Sequence, residues 1–296
     1  MENVLTLIAP ADGLDDSTLG RVRSALKELG ADTLSPVWLS KGRAADFPFA
    51  LLAPEQADAA ARQALGGLPI DVIAQPAVNR RKKLLVADMD STMVTGETLD
   101  DLAEFAGLKK HIAAITARAM NGEIDFKDAL RERVGLLKGL SAEALEKTYA
   151  TVEFMPGSKR LLSTMKAHGA YAVLVSGGFS FFTSRVRAHL GFDRDLANEM
   201  EITGGQLTGK VIEPILDRQT KLQTLVGVAA ELSLPLTLTL AVGDGANDLE
   251  MIRAAGLGVA YHAKPVVAAE ARARVDHGDL TVLLYAQGYH DEDMTD

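Results

Sequence analysis

The chain has 296 residues, 47% of them hydrophobic and 24% charged, with no cysteine and a formal net charge of -9. This balance describes a folded globular protein long enough for one large or two smaller domains. The acidic charge excludes a sequence-independent grip on nucleic acid, and the absence of cysteine excludes disulfides, thiolate metal sites and thiol nucleophiles. A cytoplasmic setting is expected. The start, MENVLTLIAPADG, lacks the basic and long apolar regions of a signal peptide, and no stretch reaches the ~18 apolar residues that suggest a membrane span.

In chain order, residues 4–9 read as a strand and 16–30 as a helix stopped by glycine. Residues 33–39 and 47–52 read as strands, Pro54–Leu65 as a helix ended by Gly66 and Gly67, and 70–75 as a further strand. The order β-α-β-β-α-β is that of a small ferredoxin-like α+β domain, of which the small-molecule-sensing ACT modules are one example. No ligand signature accompanies it. The polar, basic stretch PAVNRRKK then reads as a linker, which divides the chain into an ACT-like unit over 1–80 and a second unit over 81–296.

Beyond the linker the pattern becomes short apolar runs alternating with helical segments, which predicts an α/β fold with a parallel sheet covered on both faces. Candidate strands are Leu84–Ala87, 171–175, 236–242, 257–260 and 280–284. The first two are separated by far more than the ~10 to 12 residues of a minimal crossover, so a helical cap is expected at about 95–153, with Ser141 as a candidate helix cap. Residues 199–212 read as a hairpin turning at Gly204 and Gly205, and the acidic end HDEDMTD as a frayed tail.

Three strand ends carry chemistry. The strand LLVA runs into Asp88-Met89-Asp90-Ser91-Thr92; alternation along a strand places Asp88 and Asp90 on one side, at the end of a buried strand where open α/β sheets bind ligands. Two adjacent carboxylates repel unless a cation or hydrogen bonds compensate, which points to a bound metal. One could attack phosphorus while the other moves the proton. The second strand ends in Ser176-Gly177-Gly178, a hydroxyl and two glycines suited to a close-lying anion. The third ends in Gly243-Asp244-Gly245-Ala246-Asn247-Asp248, whose carboxylates are hard oxygen ligands of the kind Mg²⁺ takes. Lys221, on an upstream helical segment, could neutralise phosphate. Taken singly each feature could be a turn, a cap or a surface charge; their order along the chain is what points to catalysis.

DMDST, SGG, Lys221 and GDGAND together resemble the four motifs of the haloacid dehalogenase superfamily, and most closely those of its phosphoserine phosphatases. The resemblance covers residues 84 to about 285. It implies a Rossmann-like core with an inserted helical cap, Asp88 as nucleophile, Asp90 as general acid and base, and Ser176 and Lys221 holding the phosphoryl group. It also implies Mg²⁺ on the Asp88 carboxylate, the Asp90 backbone carbonyl and Asp244, with Asp248 positioning the metal site from behind. The reaction so implied is Mg²⁺-dependent hydrolysis of O-phospho-L-serine through an aspartyl-phosphate, the last step of serine biosynthesis.

Within the cap, Glu97 in VTGETLD could hold an ammonium and Arg133 in RERVGLLKG a carboxylate. On the residues alone Glu97 could equally cap a helix, and Arg133 could pair with Glu132. The resemblance assigns both to substrate, and adds contacts from Met120, Phe126, Gly177, Gly178 and Asn247, although Met120 and Phe126 at helical positions are also ordinary core residues. Two other readings stay open: a phosphatase or phosphotransferase for another small phosphorylated metabolite, and a non-catalytic amino-acid sensor. The partner in each is a small molecule, with no nucleic acid and no membrane. A homodimer and serine binding at the N-terminal unit are further expectations.

Overall fold

A computed structural model of the protein describes residues 1–10, 13–120 (Met120 by its backbone alone) and 123–296. The N-terminal part contains β1 (Asn3–Ile8), α1 (Asp16–Glu28), β2 (Asp32–Thr33), β3 (Val37–Ser40), β4 (Ala44–Ala50), α2 (Pro54–Leu65) and β5 (Asp71–Pro76). Its sheet is antiparallel in the order β2-β4-β1-β5, with β3 also paired to β4. The strand expected at 33–39 is two short strands with Pro36 in the gap, since proline offers no N–H to a ladder. The next strand starts earlier than expected, at Ala44, and chain direction changes after it at Leu51, whose φ is 64°.

The apolar run of β1 follows from burial on both faces. Leu5 and Leu7 join the core beneath the two helices, whereas Ile8 joins Ile73, Leu283 and Leu284 on the opposite face. This second face rests on the C-terminal part of the chain, so PAVNRRKK is not the loose connector that its composition suggests. Arg80 donates to Asp46, Thr6 and the carbonyls of Tyr285 and Ala286. The Asp71 carboxylate, fully buried, accepts from the backbone amides of Asp276, His277 and Gly278.

The remainder runs β6 (Leu84–Ala87), α3 (Thr98–Phe105), α4 (Lys109–Met120), α5 (Phe126–Gly135), α6 (Glu143–Tyr149), α7 (Ser158–Ala167), β7 (Tyr171–Phe179), α8 (Ser180–Leu190), β8 (Arg194–Thr203), β9 (Gln206–Ile212), α9 (Arg218–Glu231), β10 (Thr239–Gly243), α10 (Leu249–Ala254), β11 (Leu257–Tyr261), α11 (Pro265–Glu270), β12 (Ala273–Val275) and α12 (Val282–Ala286). Seven strands form one sheet in the order β12-β11-β10-β6-β7-β8-β9, parallel except for β9, which returns from β8 as a hairpin with Gly204 and Gly205 at positive φ. β6 is central, flanked by β10 and β7, so Asp88, Ser176 and the 244–248 loop arise at neighbouring strand ends.

Helices α3 to α6 make up the expected cap. Its two linkers leave and re-enter the core side by side, joined by a bridge between Val94 and Phe154 and by bonds from Thr95 N to Glu153 O and from Met155 N to Met93 O. Across the cap, the tip of the β8–β9 hairpin pairs with residues 139–142 through bonds from Gly139 N to Leu207 O, Leu207 N to Leu140 O and Ala142 N to Gly205 O. The Ser141 hydroxyl accepts from Glu143 N at the start of α6.

Two expectations are corrected. Residues 280–284 are not a strand: Val282–Ala286 is a helix, fully covered, and a buried apolar run this short fits either element. The outer strand at this edge of the sheet is β12. The acidic tail is docked, with Thr295 exchanging two hydrogen bonds with Thr164, and Asp293 and Asp296 paired to Arg81 and Arg160. No described helix is long and apolar enough to cross a membrane.

Candidate active site

Asp88 directly follows β6; its amide still donates to Val242 O of β10, which holds its backbone in the sheet, and only 6% of the residue is exposed. Its Oδ1 accepts from Met89 N at 2.8 Å and from Lys221 Nζ at 2.7 Å. Among the described residues Oδ2 has no hydrogen-bond donor, which leaves it for a reacting group. Lys221 projects from the first turns of α9, a helix capped by the Asp217 side chain, and its ammonium also reaches Asp248 Oδ1 at 2.6 Å. Asp248 Oδ2 accepts from Gly245 N at 3.0 Å. Both Asp248 oxygens therefore engage protein donors.

The Asp90 carboxylate is held by Thr98 N at 3.0 Å, the first amide of α3, and lies 3.5 Å from Ser176 Oγ, which accepts from Gly178 N at 2.8 Å. A Cβ on Gly178 would lie 3.0 Å from both Asp90 Oδ2 and Ser176 Oγ, so a larger residue there would crowd the acid. Thr92, fully buried, points its hydroxyl at Asp244 Oδ1, 3.4 Å away. Burial and then the charges of Glu97 and Asp88 push Asp90 up to about 8. Burial and then Asp88 push Asp244 up to about 6 and Asp248 up to about 7. Burial would lower Lys221, but Asp248 and Asp88 outweigh it and raise its affinity for the proton. The site holds more carboxylate than Lys221 neutralises, an arrangement that favours added positive charge.

Asp88, Asp244 and Asp248 each offer a carboxylate oxygen, all within 4.8 Å of one another, a possible acidic metal-binding triad. These donors are hard oxygens and carboxylates outnumber the ammonium groups around them, so they fit a small divalent cation.

The cap contributes from above. Glu97 stands at the start of α3 without capping it and accepts instead from Ser91 Oγ at 2.9 Å. Arg133 on α5 donates to Thr116 Oγ1 and Ala129 O, not to Glu132, and feels the charges of Asp100, Glu97 and Asp90. Phe126, at the first position of α5, packs on Gly177 so closely that a Cβ there would meet its ring at 3.3 Å. Asn247 folds back over Gly245. Contacts and charges thus link Asp88, Asp90, Ser176, Lys221, Asp244 and Asp248 with Glu97 and Arg133, and Phe126 with Gly177; the side chain of Met120 lies outside the described residues. Thr92 and Asn198 escaped the sequence reading. Asn198 is buried on β8, where asparagine is uncommon, and that misfit is the one signal the sequence carried.

The fold and the site define a hydrolase class. Residues 85–253 match the family model of the haloacid dehalogenase-like hydrolases, and the chain belongs to that family. It is 46% identical to the phosphoserine phosphatase of Streptococcus thermophilus over 67% of this chain and 93% of that one. A HAD-family hydrolase from Salmonella enterica serovar Typhi aligns over 98% of this chain and 99% of its own, with a TM-score of 0.85 and 29% identity. A phosphoserine phosphatase solved as a phospho-aspartyl intermediate analogue covers 69% of this chain and 98% of its own, at 37% identity and a TM-score of 0.65. The match spans 59% and 56% of the length of two longer curated relatives, both phosphoserine phosphatases.

Proposed function

We propose that the protein hydrolyses O-phospho-L-serine to L-serine and phosphate, with Mg²⁺ and through a phosphorylated Asp88, as the last step of serine synthesis. The observation that carries this reading is the Asp88 carboxylate: buried, held at Oδ1 by Lys221 and Met89 N, and near enough to Asp90 for its charge to act on that acid. Apart from the Salmonella hydrolase, the named relatives are phosphoserine phosphatases, and one of them was solved as a phospho-aspartyl intermediate analogue.

In this reading Oδ2 of Asp88 attacks phosphorus in line with the serine oxygen. Asp90, kept protonated near neutrality by its surroundings, gives its proton to that oxygen as the P–O bond breaks. Serine leaves; Asp90, now ionised, takes a proton from a water that attacks the acyl phosphate and restores Asp88. Ser176, Gly178 N and Lys221 hold the phosphoryl oxygens throughout. The Asp88 carboxylate, the Asp90 backbone carbonyl and Asp244 would hold Mg²⁺, with Asp248 steadying Lys221 and the 244–248 loop. Bound there, the ion supplies charge stabilisation at the phosphoryl oxygens.

Glu97 takes the substrate ammonium and Arg133 its carboxylate, while Phe126, Met120, Gly177 and Asn247 close around the remainder. The N-terminal unit, residues 1–80, is read as ACT-like, binding serine or joining two chains in a dimer; serine calorimetry and sedimentation of the full chain test each. A cytoplasmic location belongs to the same reading. The deciding experiment is phosphate release from O-phospho-L-serine beside phosphothreonine, phosphotyrosine and a sugar phosphate, with Mg²⁺ and with chelator. Metal-dependent preference for phosphoserine supports the proposal. Preference for another ester removes the roles of Glu97 and Arg133, and no release from any removes the enzyme reading.

A further inference from the structure

The ladder between β7 and β8 is regular up to Val175, opposite Leu196, and resumes at Phe179, opposite Asn198. Four steps along β7 are thus matched by two along β8, and the residues thrown out of register are Ser176, Gly177 and Gly178. The bulge is what turns these residues towards the cleft, and it leaves the Gly177 carbonyl without a strand partner. The Asn198 side chain takes that place: its Nδ2 donates to Gly177 O at 2.8 Å. Its Oδ1 accepts from Leu216 N at 2.7 Å, one residue before the Asp217 cap of α9. Asn198 is 2% exposed.

We infer that Asn198 is a positioning residue that sets the distance between the Ser176–Gly178 loop and the helix that presents Lys221. The inference rests on the reading that these two elements hold the phosphoryl group from opposite sides. One planar amide, donating at one end and accepting at the other, ties both elements to β8. Among similarly sized side chains only asparagine provides this pair: aspartate lacks the donor and would bury a charge, and leucine lacks both. Gly177 cannot shift outward to compensate, because Phe126 lies against it.

The test uses the full chain with Mg²⁺. Asn198→Asp and Asn198→Leu are compared with wild type in calorimetric binding of inorganic phosphate and in inhibition by L-serine. The expected result is an affinity for phosphate lower by about five- to a hundredfold, the cost of unpairing buried backbone groups, with an equal rise in KM for phosphoserine. L-serine inhibition, governed from the cap side, stays unchanged. Phosphate affinity unchanged in a folded variant overturns the inference, as does equal loss for both ligands, the mark of a general structural role. Should neither variant fold, the side-chain amide signals of Asn198 in wild type are followed by nuclear magnetic resonance during phosphate titration. Movement supports the inference and none overturns it. A wild type that binds phosphate but leaves phosphoserine intact would instead remove the substrate reading and leave this one standing.

Discussion

Lys221 sits between two buried carboxylates, and that placement decides what each neighbouring residue can do. It engages Oδ1 of Asp88 and Oδ1 of Asp248, and in the proposed mechanism Oδ2 of Asp88 is the oxygen left to attack. Asp88→Asn is expected to abolish phosphate release and labelling of the protein by phosphate; turnover at the wild-type rate would exclude the covalent route. Asp90→Asn should slow turnover by about 10² to 10⁴, with Mg²⁺ affinity nearly unchanged because the metal contact proposed for this residue is its backbone carbonyl. Arg133→Ala should weaken substrate by about 2 to 5 kcal/mol, read as a rise in KM, and an unchanged KM would remove it from the site. The strand-end residues were legible in the sequence because each group is contiguous, and the fold only had to place neighbouring strand ends together. Asn198 was not, since its partners Gly177 and Leu216 lie on other elements and a bulge created the need for it.

Among the elements, the cap and hairpin lean on each other where two glycines meet. A Cβ on Gly209, whose φ is 83°, would lie 2.9 Å from Lys138 Cβ and 3.3 Å from Gly135 O. Gly209→Ala should therefore cost about 1 to 3 kcal/mol in urea denaturation, from backbone strain and lost contact together; undiminished stability would mean that hairpin and cap do not touch in solution. The hairpin was readable from its alternation and paired glycines, and the cap from the length of the interruption. The helix at 282–286 was not, because five buried apolar residues carry no period that separates helix from strand, and its burial against the N-terminal sheet is a tertiary fact.

For the whole molecule, one face of the N-terminal sheet, with Ile8 and Ile73, packs into the core of the C-terminal part beside a polar seam, so unfolding should be a single transition. Arg80→Ala leaves the buried Asp46 carboxylate unpaired and should cost about 3 to 5 kcal/mol, separating the transition into two in calorimetry; a single unshifted transition would show the seam to be unimportant. Stability should also depend on pH through the acidic cluster. Asp244 and Asp248 have folded values of about 6 and about 7 against 3.8 for an ordinary aspartate, so the folded protein keeps protons that the unfolded chain has lost. Without metal, its stability therefore falls as pH rises from about 4 through 7. Mg²⁺ should raise the melting temperature more at pH 8 than at pH 5.5 and release protons on binding. An equal rise at both would show that these carboxylates are already ionised. The linker's basic run misled at this scale, because Arg80 is drawn into the seam by Asp46, which lies far away in the sequence.

The side-by-side linkers joined at Val94 and Phe154 have a consequence for exchange of parts. Because the chain leaves and re-enters the core at one point, a short loop could replace residues 95–153 and keep the strand ends in place, at the cost of the Thr98 amide that holds the Asp90 carboxylate. A protein trimmed in this way should lose its choice of leaving group while still cleaving a small activated anhydride such as acetyl phosphate, whose leaving group needs no proton from Asp90. That outcome would place selectivity and chemistry in separable stretches of the chain, so that one could be redesigned or inherited without the other.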